Sequence, residues 1–473
     1  MTFIESFSSQ PKSVILRGTK NKKINLIIHG QGVFLFQTPS ASTSGVGSQE
    51  NTNCCSFTIY DSEEKTGLKI ELNESAVKIN KLPNLEPLID ANNKSGLTTK
   101  KGAYYWLSID SQNQKLQVGI GEARIENAIY QYSFTFTNEE DEAIRSASEG
   151  CKRLNSVTSV KELRKHNKSF LEGLTMIDLC TTTISEIQSL IVSGGSSQNS
   201  IVPLQLLRDP ITNQIPLLIK NTNDLTMKHI AKATYLPKSH LSSVAQQLYD
   251  CISGKKFVLN DASFPDFSKA IEYSIATPGL WCYEKLKEKS TEFDKENPNV
   301  LETYLRITLN QNNGESPGIP YVMEIWPPKH FSPVHNHSGA NAIIRVLHGK
   351  INVKLFSFLC DEKESIEPFN EVQFVKGDIT WISPTLNQVH QLTNLETNKN
   401  TCITIQCYMY DEIDKTHYDY FDYLDSNGNK KKYEPDSDME FIEFKETIKE
   451  EWKKRPRCLK RFCKKYFSCI IKI

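Results

Sequence analysis

Short apolar runs separated by polar turns dominate the first 140 residues. Val14-Ile-Leu and residues 24–28, 33–36 and 57–60 are rich in β-formers and predict strands. Residues 38–53 are rich in Ser, Thr, Gly and Asn and predict a mobile loop. Ala103-Tyr-Tyr-Trp106-Leu-Ser-Ile-Asp110, a polar turn and then Lys115-Leu-Gln-Val-Gly-Ile-Gly121 predict a hairpin on a β-sandwich. The pattern changes near residue 141. Residues 161–166 and 184–191 read as helix, residues 193–200 as a flexible linker, and residues 201–255 as helix again. Two short helices are expected near 264–273 and 280–286, and strands dominate from 302 to 410. The expected fold is mixed and mainly β. It comprises a sandwich over 1–140, a helical connector over 141–240, a second β unit preceded by helices over 241–425, and a tail over 426–473.

Length and charge refine this plan. A chain of 473 residues suggests about three folding units. Hydrophobic residues make up 38% and the mean hydropathy is −0.44, which fits a globular protein without a membrane-spanning run. The N-terminus lacks the basic and then apolar plan of a signal peptide, and twelve irregularly spaced cysteines predict free thiols, so a cytoplasmic, reducing compartment is expected. The net charge of zero hides an asymmetry. Residues 451–473 hold nine Lys or Arg against Glu451 alone, so +8 there balances −8 over residues 1–450. From residue 457 the tail has helical periodicity, with Leu459, Phe462, Tyr466 and Ile470 on one stripe and Lys460, Arg461, Lys464 and Lys465 opposite. The expectation is a solvated or internally docked tail, with an anionic membrane surface as the alternative. An acidic body without a nucleic-acid module argues against nucleic acid as a partner.

The candidate chemistry lies in two stretches. His335-Asn-His337 is expected on a strand, where alternate side chains share a face. After the turn at Gly377-Asp378, a second strand leads to His390. Three imidazoles brought together this way can hold one ion at about 2.0–2.2 Å. The ligand type alone does not choose the metal, since zinc also suits three histidines. His330, His348 and His417 are not expected as ligands.

These stretches resemble the two motifs of a cupin barrel, whose second motif ends His-x3-Asn, as His390 and Asn394 do here. Many cupins add a Glu ligand five residues after the second His, and Ala342 stands there instead. Within the cupins, residues 248–423 resemble cysteine dioxygenase. Tyr304-Leu-Arg306 matches that family's Tyr-x-Arg, and Thr404-Ile-Gln406-Cys-Tyr408 stands where the family has Ser-x-His-x-Tyr. The resemblance implies one Fe(II) on His335, His337 and His390, with Arg306 clamping the substrate carboxylate and Tyr304 supporting it. It also implies that Tyr408 faces the bound sulfur and oxygen, with Thr404 and Gln406 behind it. There are two departures. Gln406 cannot exchange a proton as His can, and Ala342 lacks the sulfur that crosslinks the matching tyrosine in animal members. The implied reaction is oxidation of L-cysteine by dioxygen to cysteine sulfinate, by a monomer. Two alternatives stand beside it, another thiol carboxylate such as 3-mercaptopropionate and a non-catalytic cupin sensor. More loosely, residues 103–121 resemble the sandwich domain named after farnesoic acid methyltransferase, with Ile109 where that family has Trp. That likeness implies packing or binding rather than catalysis.

Overall fold

The computed structural model describes residues 12–13, 22–26, 28–37, 54–73, 76–92, 104–134, 160–179, 205–207, 210–310, 321–359, 367–410 and 420–456. Two antiparallel six-stranded sheets form the N-terminal half. One runs Lys12–Ser13, Gln205–Leu207, Gln31–Gln37, Tyr104–Asp110, Lys115–Ile120, Ala128–Ser133. The other runs Lys22–Asn25, Leu174–Leu179, Cys54–Asp61, Gly67–Asn73, Ala76–Leu82, Glu86–Asn92. Alternation decides which side chains meet. Tyr105, Leu107 and Ile109 point inward and join Ile59, Ile70 and Ile79 of the opposite sheet in one buried cluster. Trp106 faces the other way, onto Val33 and Leu35. Its indole covers Gly119, where a Cβ would meet it at 2.1 Å, so that position needs glycine.

The helical reading of residues 141–240 is corrected in several places. Val160–Glu172 is a helix, but Leu174–Leu179 is a strand inserted between Lys22–Asn25 and Cys54–Asp61, and Gln205–Leu207 is a strand beside Gln31–Gln37. Pairing with strands more than a hundred residues away selects β here, and local propensity does not reveal such partners. Residues 210–217 carry no regular structure, and Leu218 bridges to Thr380 on the edge strand Ile379–Ile382. Thr380 Oγ1 donates to Leu217 O at 2.7 Å and Trp381 Nε1 to Pro216 O at 3.1 Å, which shields an edge that would otherwise be exposed. The expectations for Val14-Ile-Leu and residues 38–53, 184–200 and 457–473 lie outside the described residues.

The C-terminal half is a two-sheet roll. The larger sheet runs Ile379–Ile382, Asn341–His348, Cys402–Met409, Tyr321–Trp326, Leu305–Asn310, Met439–Glu440. The smaller runs Asn370–Val375, Lys350–Phe356, Val389–Thr393, and bridges through His335 to the hairpin Phe421–Leu424/Lys430–Tyr433. On the larger sheet Ile307, Ile325, Ile343 and Ile405 face outward, against Leu248, Phe267, Ile271 and Phe444 of the helices Ser243–Ile252, Phe267–Ala276 and Phe441–Lys454. The alternate residues face the interior of the roll. The expectation of a tail from residue 426 is corrected for residues 430–454. Met439–Glu440 pairs parallel with Leu305–Asn310, and the final helix buries Phe444 and Ile448 completely. Phe444 packs on Phe267 and Trp281, partners far away in the chain that carry no local signal. Among the described residues no helix is long and apolar enough to cross a membrane.

Candidate metal centre

His335 and His337 do not lie on a regular strand, which corrects that expectation. Positive φ at Ser338 (50°) and Gly339 (79°) turns the chain before the strand begins at Asn341. What aligns the histidines is an isolated bridge. His335 N–H donates to His390 O and His390 N–H to His335 O, both at 3.0 Å. The ligand nitrogens of His335, His337 and His390 all lie within 4.8 Å of one another.

For His335 and His390, ring orientation follows from what Nδ1 meets, while His337 Nδ1 is buried without a hydrogen-bond partner. His335 Nδ1 lies 3.0 Å from Pro333 O and His390 Nδ1 3.4 Å from Asn387 O. A carbonyl only accepts, so each Nδ1 carries the proton and Nε2 offers its lone pair. His337 Nε2 and His390 Nε2 are 3.0 Å apart. Two nitrogens about 2.1 Å from one ion, at right angles across it, are separated by about 3.0 Å. Burial holds the His335 imidazole down to about 4 and those of His337 and His390 well below the usual histidine range, and the neighbouring imidazoles add to this at His337 and His390. Three neutral imidazoles with converging ring nitrogens fit a divalent transition metal, and the donor set does not fix which one.

Tyr304, Arg306, Gln406 and Tyr408 line the same cavity as the three histidines, around about 390 Å³ of space not filled by atoms. Strand register explains this. Arg306 lies opposite Glu324, Glu324 opposite Thr404, and Ala342 opposite Tyr408, so these side chains point to one face. Arg306 Nη1 donates to Glu324 Oε1 at 2.9 Å, and both side chains are buried. Arg306 Nε and Nη2 have no partner at hydrogen-bond distance, although the Tyr304 side chain interacts with the guanidinium. The other Glu324 oxygen accepts from Gln406 Nε2, and Gln406 Oε1 accepts from the Tyr408 hydroxyl. Burial pushes the Tyr408 phenol well above its usual range, so it stays protonated as that donor. Its ring stacks on His337 with centroids 5.4 Å apart. Thr404 borders an adjoining space, and its hydroxyl has no partner, so it does not continue the chain from Gln406. Tyr304 stacks on Trp326 with centroids 4.0 Å apart. His330 is a satisfied core histidine 2.8 Å from Thr303 O, and His348 faces Glu272 at 3.3 Å.

Glu324 is the site residue that motif reading missed. Its signal was a lone carboxylate in the apolar strand Tyr321–Trp326. Burial pushes this carboxyl up to about 7, although Arg306 draws it down.

No family model matches the chain, and no curated protein matches it. Weakly similar solved structures include cupin-superfamily proteins. A cupin superfamily protein from Desulfitobacterium hafniense matches at 12% identity over 23% of this chain and 79% of that one, with a TM-score of 0.17. An oxalate oxidase matches at 16% identity over 19% of this chain and 41% of that one, with a TM-score of 0.15. A ribosomal oxygenase from Escherichia coli matches at 17% identity over 19% of this chain and 22% of that one, with a TM-score of 0.15. The match thus spans less than two thirds of the oxidase and of the ribosomal oxygenase.

Proposed function

We propose that this chain is a cupin-type thiol dioxygenase. It would hold Fe(II) on His335, His337 and His390 and oxidise a small thiol carboxylate, L-cysteine first, with dioxygen to the sulfinate. One observation carries this reading. The three histidines and Arg306, whose Nε and Nη2 are buried without a hydrogen-bond partner, line one small cavity. Nε and Nη2 offer two parallel N–H donors, the arrangement that grips a carboxylate bidentately. Iron held on the histidines would supply open positions where a thiolate and dioxygen meet, so that both oxygen atoms end on sulfur. The protein's own part is orientation. Arg306 fixes the carboxylate end of the substrate, Glu324 fixes Arg306 through Nη1, and Gln406 holds the Tyr408 hydroxyl. Phe293, Phe421, Tyr423 and Tyr433 wall the cavity and limit water around the sulfur. The family's crosslink has no counterpart, because Ala342 lies opposite Tyr408.

Glu324 favours a second reading. A carboxylate in this cavity is also a counterion for an ammonium, which suits a thiol amine such as cysteamine. Both readings are tested on the full chain loaded anaerobically with Fe(II). Dioxygen uptake and sulfinate formation are measured with cysteine, 3-mercaptopropionate and cysteamine. Uptake with the two carboxylates, lost together with bound iron in His390→Ala, is the expected result. Preference for cysteamine would establish the second reading. No uptake with any thiol at full iron loading would replace the enzyme with a binding module.

A further inference from the structure

The loop that delivers His390 is held from outside the roll, by the N-terminal sandwich. Residues 121–127 of the sandwich turn against residues 357 and 387–388. Gly121 adopts φ +77°, and a Cβ there would meet Ser357 O at 2.4 Å. Glu122 N–H donates to Ser357 O at 3.0 Å. On the sandwich side, Trp106 Nε1 and Asn127 Nδ2 both donate to Glu122 O, at 3.1 and 3.0 Å. Glu122 and Arg124 are thereby carried on a rigid turn, and their side chains are 1% and 0% exposed. Burying an ion pair is costly unless fixed partners satisfy it, and here those partners include the His390 loop. Arg124 Nη1 donates to Asn387 Oδ1 at 2.8 Å, and Gln388 N–H donates to Glu122 Oε1 at 2.9 Å.

Asn387 is the pivotal residue. Its φ of +60° is a conformation that side chains rarely adopt. Its amide is clamped at both ends, by Arg124 and by its own donation to Trp381 O at 3.0 Å. In that conformation its carbonyl faces His390 Nδ1. The Gln388 side chain then ties this loop to the one after His337, donating to Ala340 O at 3.0 Å and accepting from Gly339 N–H at 3.0 Å.

We propose that Arg124 and Glu122 of the sandwich are positioning residues for the metal centre, acting through Asn387 and Gln388 on the ring orientation of His390. Partners of this kind around a ligating histidine change metal affinity about 10–100-fold. The N-terminal half is then part of the active unit, and the roll alone holds an incomplete site.

The test uses the full chain and Co(II) alone, which reports affinity and, by its visible ligand-field spectrum, ligand geometry. Arg124→Met and Asn387→Ala are each expected to weaken Co(II) binding about 10–100-fold and to shift the spectrum, and the double variant to do no more than the worse single one. Asn387→Gly keeps the backbone free to reach positive φ and loses only the amide, and Glu122→Gln keeps the side-chain shape. These two are expected to give smaller losses in the same direction and stand in if the first variants fail to fold. Ser108→Ala is the control. It removes a contact of the sandwich with Ile211 N–H at 2.8 Å, away from the His390 loop, and is expected to bind Co(II) as the unaltered chain does. Folded Arg124→Met and Glu122→Gln with unaltered affinity and spectrum would overturn the proposal, as would an unaltered chain that does not bind Co(II). Failure of thiol oxidation with Co(II) binding intact would touch only the proposed function.

Discussion

Arg306 and Glu324 form a buried ion pair, Nη1 to Oε1 at 2.9 Å, in the wall of the three-histidine cavity. The pair does two things at once. It locks the guanidinium through one nitrogen and leaves Nε and Nη2 without a hydrogen-bond partner, and it sets a carboxyl that ionises near neutral pH beside the place where a substrate carboxylate would bind.

Removing one partner should be worse than removing both. Arg306→Met removes the charge that draws the Glu324 carboxyl down, so the carboxyl stays protonated at neutral pH with its Arg306 hydrogen bond unmade, and a loss of about 1–3 kcal/mol is expected. Arg306→Met/Glu324→Leu removes both charges and should recover much of that loss. Urea denaturation of the two variants measures the difference. Equal stability in both would mean that the pair is not coupled as its geometry requires.

Asn394 should prove structural. Its Nδ2 donates to Trp326 O at 2.8 Å and to Asn400 O at 3.1 Å, its Oδ1 accepts from Asn398 Nδ2 at 2.9 Å, and its side chain is fully buried. Asn394→Ala strands buried backbone acceptors and should cost about 1–3 kcal/mol. Because Asn394 is not among the clustered ligands, metal stoichiometry of the folded variant should be unchanged. Metal titration beside a thermal melt checks both halves, and lost metal at full folding would move Asn394 into the centre.

The elements legible in the chain were those whose evidence is local. Trp106 and its hairpin, the runs at 33–36 and 57–60, and the spacing of His335, His337 and His390 carry their signal within a few residues. Leu174–Leu179 and Gln205–Leu207 were hidden because their partners come from the first 61 residues. Glu324 was hidden for a related reason. A single carboxylate among apolar neighbours says nothing of function until strand register sets it between Arg306 and Thr404. The role of Glu122 and Arg124 was further still from view, since it depends on how two β units meet.

Acid should destabilise the metal-free protein. The folded imidazoles of His335, His337 and His390 titrate below the unfolded value of 6.5, His335 at about 4. Below pH 6.5 the unfolded chain therefore binds protons that the folded chain does not. Stability falls as pH falls, by up to about 1.4 kcal/mol per pH unit for each histidine, and the His335 contribution levels off near pH 4. Glu324 and Glu122, both raised to about 7 from 4.5, and Glu292 and Glu302, also raised, work in the opposite sense, while His240 and His330, lowered like the three ligands, act with them. Melts of the metal-free chain between pH 7 and 5 should show a falling midpoint, and Co(II) should raise it most at pH 7. A profile no different from that of the His335→Gln/His390→Gln variant would mean that the imidazoles are solvated rather than buried.

Carboxylate binding should weaken as pH rises through about 7. Below that value Glu324 is protonated, and Arg306 presents an unopposed positive charge to the ligand. Above it the Glu324 carboxylate neutralises the guanidinium and repels a second carboxylate. The sign follows from burial, which raises the Glu324 pKa from 4.5 to about 7 against the pull of Arg306. A ligand without a thiol, such as 3-hydroxypropionate, avoids titration of the substrate sulfur in this range. Its dissociation constant should rise several-fold between pH 6 and 8 in the unaltered chain. Glu324→Gln keeps a side-chain oxygen to accept from Arg306 but never ionises, so its affinity should be nearly constant over that range and equal or better at pH 8. Isothermal titration at three pH values separates the cases. The same pH dependence in Glu324→Gln would place the titrating group elsewhere and remove Glu324 from substrate selection.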